Sequence, residues 1–598
     1  MQMAEDVAGA LPTEASTVGA IALAAAEGHG GEALTRPGTP PVTYRQLGRA
    51  IREIAGGLAA LGLEGGNRVS ILAGTRPEWT LVDFAALCAG TVVVPIYHTN
   101  SPQECAYVLA HAEVRAVICE DADQAAKVAA VRGACPTLEH VIVMEGAAEG
   151  AISLDDLRAL GEAAPRDLCL RRLAAVRTDD VATIVYTSGT TGPPKGCLIT
   201  HGNLLAMVRM YDHQLQLSAA PPVVYLYLPL AHSLARVAQI VTIDAGGTLA
   251  FWGGDPKAIV GELAQIRPTH FPSVPRVFEK IHAGVLGTVA EQGALRQAVF
   301  RRAVATGAAV RRRRRAGRAV ARADRLRHAV GDRLVLARVR TLFGDRLVLG
   351  LTGAAPIGRD VLAFFDACGV EVLEGYGMTE TAAGATLNTP GHAKLGSVGR
   401  PLPGTGVAIA VDGEVLMRGP HVFAGYHRDA DATRRTIVDG WLRSGDLGEL
   451  DDEGFLSIVG RKKDLIITSS GKNISPENLE SALRETRWIA NAIVHGDRRP
   501  YLVALVTLDP DEAPKLAEEV GVPPEPALMA THDRVRAAIQ RDVDAVNERF
   551  ARIEQIKRFG ILPRDLSQAE GELTPTLKIK RAVVSERYAA ELAALYDT

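Results

Sequence analysis

Apolar and polar positions along the chain follow two alternating rhythms. From Thr43, TYRQLGRAIREIAGGLAALGL spaces its apolar residues as a helix does, behind a threonine suited to cap it. NRVSILA then reads as a strand, RPEWTLVDFAALCAG as a helix, TVVVPIY as a second strand, and ECAYVLAHAEVRAVICE as another helix–strand pair. Such alternation predicts a parallel sheet covered by helices on both faces. The rhythm returns from LPLAHSLARVAQIVTIDAGGTLAFW to VEVLEGYG. After about Gly396 the texture changes to short β-type runs broken by Gly and Pro, which predicts a small barrel-like unit. A second change falls at GRKKDLI, 460–466, and compact αβ segments follow to the end. The expected fold class is α/β. A large N-terminal domain over 1–460 holds parallel sheets flanked by helices and the small β-barrel-like subdomain, and a smaller C-terminal α+β domain spans 461–598. The Gly-, Ala- and Pro-rich stretch before Thr43 reads as loosely packed.

Composition narrows the picture. A chain of 598 residues is too long for one core. Its 47% apolar and 23% charged content is ordinary for a soluble globular protein, and a net charge of -3 argues against nucleic acid as a partner. Seven cysteines, odd in number and without a CxxC pair, speak against a disulfide framework or a structural zinc site. Reduced thiols in the cytoplasm fit better. The acidic start, MQMAEDVAGALPTEAS, lacks a secretory signal pattern, and no apolar run is long enough to span a membrane. One helix-prone segment, at about 296–346, is unusual. Between Arg301 and Arg346 it carries fifteen arginines and three acids. It reads as a solvated helical excursion or as an electrostatic foot for anionic headgroups, hence peripheral contact with the inner face of a membrane. An RNA-binding arm lacks the aromatic platform such binding uses.

The densest chemistry lies in YTSGTTGPPKG, 186–196, directly after the apolar run VATIV. Gly189, Gly192 and Gly196 let the backbone approach a ligand, and the hydroxyls of Thr187, Ser188, Thr190 and Thr191 can donate to phosphate oxygens. Lys195 adds a cation. The spacing is not that of the P-loop, GxxxxGK[ST]: Lys195 follows Gly192 by three, and Gly196 stands where the metal-binding Ser or Thr belongs. This predicts a phosphate cradle of another design.

YTSGTTGPPKG resembles the signature loop of adenylate-forming enzymes, the superfamily of acyl-CoA synthetases, luciferases and peptide-synthetase adenylation domains. The resemblance continues in order through LPLAHSLAR, PTHFPSVPRVFEKI, GYGMTET, GWLRSGDLGELDDEGFLSIVGRKKDLI and LTPTLKIKR. VPRVFEKI and SSGKNISPENLE look most like the long-chain fatty acyl-CoA synthetase branch.

The resemblance implies a two-step reaction on a fatty acid, with ATP, Mg²⁺ and coenzyme A as cofactors and co-substrates. Residues 187–195 would hold the β- and γ-phosphates. Thr379 would bind the α-phosphate and Glu380, with Thr187, the metal, a hard oxygen ligand set suited to magnesium. Tyr376, between Gly375 and Gly377, would stack on adenine, with Gly353 and Ala354 beside it. Asp446 would accept from the ribose hydroxyls with Arg461 assisting, although a carboxylate in a Gly-rich turn is more often a turn residue. Lys578 would stabilise charge during adenylation, Lys463 would be the hinge of a mobile C-terminal domain, Gly471 and Lys472 would lie near the pantetheine channel, and His232 would line the acyl pocket. The long-chain branch often reads HxxER where this chain has Ala235 before Arg236, which removes any ion pair that glutamate would make. Alternatives are a ligase that hands acyl-AMP to a carrier protein, an acyl-CoA ligase for another carboxylic acid, and a non-catalytic membrane-associated binding protein.

Overall fold

A computed structural model describes residues 2–5, 15–187, 193–468, 473–574 and 577–597. The architecture is α/β, with three sheets in the larger lobe and a smaller C-terminal lobe.

The first sheet has eight strands. Ile152–Ser153, His140–Val143, Val114–Cys119, Arg68–Leu72, Val92–Ile96 and Val181–Thr187 run parallel, and Lys195–Thr200 and Gly425–Tyr426 add antiparallel at the far edge. Its helices form where the pattern places them. Tyr44–Ala60 opens on a capping box in which Thr43 Oγ1 accepts from Gln46 N and Gln46 Oε1 accepts from Thr43 N. Such a cap is worth about 1 kcal/mol. Leu47, Ile51, Ile54 and Leu58 recur at helical spacing and are fully buried.

The second sheet has nine strands with a parallel centre: Val372–Tyr376, Leu349–Thr352, His270–Ser273, Val223–Leu226, Thr248–Phe251 and Glu32–Thr35. Both faces are covered. Val224 and Leu226 pack with the helices His201–Leu215 and Ser233–Asp244, while Tyr225 and Phe271 point into a phenylalanine-rich cluster with Phe278, Phe343 and Phe365. The Gly/Pro-punctuated unit is a six-stranded antiparallel sheet around Trp441–Leu450.

The start of the chain departs from the expectation of loose packing. Val18–Gly28 is a helix whose Val18, Ile21 and Ala22 are buried in the main core. Its small residues permit this, since a Cβ on Gly19 would stand 3.1 Å from the Cys88 backbone nitrogen. Alanine also favours helix.

The apolar clusters divide cleanly. Those of the larger lobe end at Leu456 and its neighbour Ile458, and those of the smaller lobe begin at Ile466. The smaller lobe is built on the strands Ile489–His495, Leu502–Leu508 and Ile556–Ile561. The lobes meet through polar contacts. Lys280 Nζ reaches Asp511 Oδ2 at 2.9 Å, Arg276 donates to the Ala490 carbonyl, and Arg549 lies 3.9 Å from Asp360.

Candidate active site

The expected phosphate-cradle motif lies between two antiparallel strands. Val181–Thr187 pairs antiparallel with Lys195–Thr200, and the last cross-strand pair is Thr187 opposite Lys195. Thr187 Oγ1 donates to the Lys195 carbonyl at 3.4 Å. Ser188, Gly189, Thr190 and Thr191 lie outside the described residues. Gly196 has a different role from the expected one. A Cβ there would stand 2.7 Å from Ile184 Cγ2, so it makes room for the strand's own neighbours rather than for a ligand. Lys195 Nζ sits 5.1 Å from the centroid of the Tyr426 ring, whose hydroxyl donates to Glu380 Oε1 at 2.7 Å. Tyr426 thus joins Lys195 to Glu380. Nothing in the surrounding sequence FAGYHRD distinguishes it from a core aromatic.

Glu380 is presented by a tight turn. Val372–Tyr376 ends at Gly377, and a 3₁₀ turn, Thr379–Thr381, follows. Gly377 is obligatory, because a Cβ there would stand 2.4 Å from the Ala383 carbonyl oxygen and 2.5 Å from Gly384 Cα. Ala382 (φ 47°) and Ala383 (φ 97°) both hold the left-handed region, as does Ala354 (φ 69°), which with Gly353 follows Leu349–Thr352. Each such alanine costs on the order of 1 kcal/mol or more, and strain of this kind clusters where a chain must present groups to a ligand. Gly353 packs against the Gly375 carbonyl, 3.1 Å from where its Cβ would be. Gly353, Ala354, Gly375, Tyr376, Gly377, Thr379 and Glu380 therefore share one corner at the carboxyl ends of adjacent parallel strands, where open α/β sheets bind ligands.

Tyr376 links this corner to the antiparallel sheet. Its hydroxyl donates to Asp446 Oδ2 at 2.6 Å. Asp446 is buried, opposite Arg461 in the cross-strand register, with Arg461 Nε 3.2 Å from Asp446 Oδ1. It is thus a buried, paired acid and not a solvated turn residue. Burial and the Asp446 charge keep the Tyr376 phenol protonated. Lys463 is exposed in the turn just after Leu456–Arg461, between the two sets of apolar clusters. Gly471 and Lys472 lie outside the described residues.

Lys578, although far along the chain, comes to the same place. It is held by a local turn in which Thr574 N donates to the Lys578 carbonyl at 2.7 Å and Lys578 N donates to Thr574 Oγ1 at 3.0 Å. Burial, reinforced by the neighbouring Arg461, pushes its amine down to about 8, against the pull of Glu477 and Asp446. His232 lies close enough for the Lys578 charge to act on it. Burial and that charge push its imidazole down to about 4, so it is neutral near pH 7. His232 caps Ser233–Asp244, its Nδ1 accepting from Leu234 N at 3.3 Å.

That helix also walls an apolar cavity. Leu234, Val237 and Val241 face Tyr211 of the neighbouring helix and Pro272 and Leu351 of the sheet. One turn beyond His232, Arg236 is buried among polar partners. It pairs with Asp83 and donates to Thr183 Oγ1 at 2.5 Å; Asp83 is 0% exposed and Arg236 2%. Complete burial pushes the Asp83 carboxyl up against the pull of Arg236. The bond to Thr183 ties the helix that walls the cavity to the strand Val181–Thr187. No sequence signal marked Asp83, which sits 153 residues away.

Among the described residues no group of three or more His, Cys, Asp or Glu is arranged to hold a metal ion, and no helix is long and apolar enough to cross a membrane.

Residues 22–427 match the family model for AMP-binding enzymes, and residues 463–598 that for the AMP-binding enzyme C-terminal domain. The chain is 39% identical to the long-chain-fatty-acid–CoA ligase FadD15 of Mycobacterium bovis, over 93% of this chain and 92% of the relative. It is 32% identical to the peroxisomal long chain acyl-CoA synthetase 6 of Arabidopsis thaliana, over 93% and 81%. Among solved structures, the anthranilate CoA ligase AuaEII in complex with anthranoyl-AMP superposes with a TM-score of 0.74 at 21% identity, covering 97% of this chain and 98% of that one. The adenylation domain of a carboxylate reductase from Mycobacterium chelonae superposes with a TM-score of 0.77 at 20% identity, covering 99% and 93%.

Proposed function

The chain belongs to the AMP-binding enzyme family, and from that premise we propose that it is an ATP-dependent ligase joining a long-chain fatty acid to coenzyme A through an acyl-adenylate. One observation carries the reading. Lys578 of the smaller lobe stands within reach of the charges of Asp446 and Arg461 and of His232, beside an apolar cavity. A cation delivered by one lobe to a nucleotide corner on the other suits the meeting of two anions.

In the first step a carboxylate oxygen of the fatty acid attacks the α-phosphorus of ATP. The bond from that phosphorus to the bridging oxygen breaks, and pyrophosphate leaves. The residues divide the work as follows. Residues 187–195 hold the β- and γ-phosphates, and Thr379 the α-phosphate. Tyr376, Gly353 and Ala354 flank adenine, and Asp446 accepts from the ribose with Arg461 steadying it. Lys578 neutralises charge developing around the phosphorus, the electrostatic contribution that preorganised donors make. His232, neutral, lines the entrance for the carboxylate without adding a competing charge. Magnesium is commonly held by one or two carboxylates together with substrate phosphates. Glu380, a single buried carboxylate joined to Lys195 through Tyr426, fits that need, with Thr187 at the neighbouring strand end. When bound, the ion offsets phosphate charge.

In the second step the thiolate of coenzyme A attacks the acyl carbonyl carbon, the bond to the AMP oxygen breaks, and AMP leaves. The boundary near residue 460 and the hinge at Lys463 let the smaller lobe turn and withdraw Lys578. The separate apolar clusters support such a motion, since none has to be broken. Gly471 and Lys472 are assigned to the pantetheine channel. The acid partitions into bilayers, and its pickup is placed at a membrane surface.

The test is product analysis with acids of increasing length. Each methylene buried in the cavity contributes about 0.8 kcal/mol, so kcat/KM is expected to rise about fourfold per methylene until the cavity is filled. Acyl-CoA and AMP are the expected products. Acyl product found only on the phosphopantetheine of a carrier protein, or a preference for small aromatic acids, contradicts the reading.

A further inference from the structure

The arginine-rich segment forms a helical arm that the proposed chemistry does not use. Ala294–Arg315 is one helix. After the turn at Gly317, Arg322–Gly331 runs on through Asp332–Leu336 into Ala337–Thr341. The second part folds back on the first, where a Cβ on Gly331 would stand 3.1 Å from Ala303 Cβ. The inner face is fixed. Phe300, Ala303 and Leu336 enter the phenylalanine-rich cluster on the sheet face opposite the apolar cavity.

The outer face is amphipathic. Leu326, Val330 and Leu334 recur at a spacing of four and are 69%, 53% and 54% exposed. Arg322, Arg325, Arg327, Arg333 and Arg338 stand exposed around them. The arm's acids do not balance this charge, because each is already paired: Asp324 with Arg327, Asp332 with Arg340, and Asp345 with Arg267. Arg311 and Arg315 are held by Asp366. That leaves eleven of the fifteen arginines without an ion pair among the described residues.

We propose that the outer face of this arm docks on an anionic bilayer, the Leu326–Val330–Leu334 stripe entering the headgroup boundary and the unpaired arginines meeting lipid phosphates. Apolar side chains set among cations on a helix are the pattern of a segment lying in a membrane interface. A nucleic acid would use the same cations but needs aromatic faces for bases to stack on. Both aromatics of the arm, Phe300 and Phe343, are buried. The assignment deepens the proposed function by giving its substrate a point of delivery, but binding is read without turnover, so the two can fail separately.

The experiment is vesicle flotation of the full chain, with phosphatidylcholine alone or with about one third phosphatidylglycerol, between about 0.05 and 0.5 M salt. The wild type is expected to prefer anionic vesicles at least about tenfold and to release as salt rises. R322Q/R325Q/R333Q is expected to lose about a hundredfold in partitioning, since each basic residue near the surface carries a factor of several. L326Q/V330Q/L334Q is expected to bind only at low salt. Both variants should keep the wild-type circular dichroism and pyrophosphate release from a short, soluble acid. As a check free of variants, anionic vesicles should slow amide exchange in residues 322–338 of the wild type. Equal binding to neutral and anionic vesicles, variants that bind like the wild type, or unchanged exchange would overturn the proposal. So would retention of homopolymeric RNA by a chain that ignores vesicles.

Discussion

Lys578 shows what one residue contributes and what a sequence can say of it. Its ammonium titrates near 8 because it is buried beside Arg461. The neutral amine cannot offset phosphate charge. The kcat/KM of pyrophosphate release, which reports the free enzyme, should therefore fall as pH rises through about 8 rather than near 10.5, the ordinary lysine value. In Lys578→Arg the guanidinium stays charged, and that basic limb should disappear. An identical limb in both proteins would contradict the assignment. The candidate residues Lys195, Tyr376, Glu380, Asp446 and Lys578 were legible because their motifs stand in a fixed order. Tyr426 and Asp83 were not, because their roles arise from contacts such as Tyr426 with Glu380 and Asp83 with Arg236. The burial of Asp446 was hidden for the same reason: local sequence shows a Gly-rich turn and not the neighbouring strand that covers it.

At the scale of elements, the alternation of strand and helix was readable from period alone, and Thr43 was readable as a cap because capping is local. The first helix was misread because alanine and glycine carry little apolar signal, although they pack closely once a partner helix is present. The turn from Gly377 to Gly384 was beyond a sequence reading, since its shape rests on alanines in a conformation they disfavour. It also carries a prediction. In Gly377→Ala the added Cβ must displace the Ala383 carbonyl, moving Thr379 and Glu380 by a substantial fraction of an ångström. Adenylation should fall at least about a hundredfold with an unchanged circular dichroism spectrum, as misplacement on that scale does elsewhere. Near-wild-type pyrophosphate release would show that the turn does not position the phosphates.

At the scale of the whole molecule, two lobes with separate apolar clusters meet through charged contacts, and the cleft between them buries a carboxyl that makes stability pH-dependent. Glu279, buried on the helix Pro275–Ala290, faces the cleft between the lobes with Arg276 and Lys280 of its own helix and Arg484, Arg487, Asp509 and Asp511 of the smaller lobe. Burial pushes its carboxyl up to about 7, against Arg484 and Arg276. The folded chain therefore keeps this proton up to about pH 7, while the unfolded chain releases it near 4.5. Stability from this group is present below about 4.5 and is lost as pH rises to 7, by roughly 3 kcal/mol at most. The Tm of Glu279→Gln relative to wild type should rise across that window, as thermal melts at a series of pH values will show. A constant difference would mean that the carboxyl is solvated. Sequence texture located the change of lobe near 460 but could not show a cleft built from residues 200 positions apart.

The central claim is that the smaller lobe brings Lys578 to a nucleotide corner on the larger one for the first half-reaction only. The most direct measurement is fatty-acid-dependent exchange of labelled pyrophosphate into ATP without coenzyme A, run beside thioester formation from preformed acyl-adenylate, for wild type and Lys578→Ala. The account predicts that exchange in the variant falls by about 10²–10³, the size of losing one aligned charge donor, while thioester formation stays within a few-fold. Exchange that survives in Lys578→Ala, or a wild type that exchanges no pyrophosphate with any fatty acid, would contradict it.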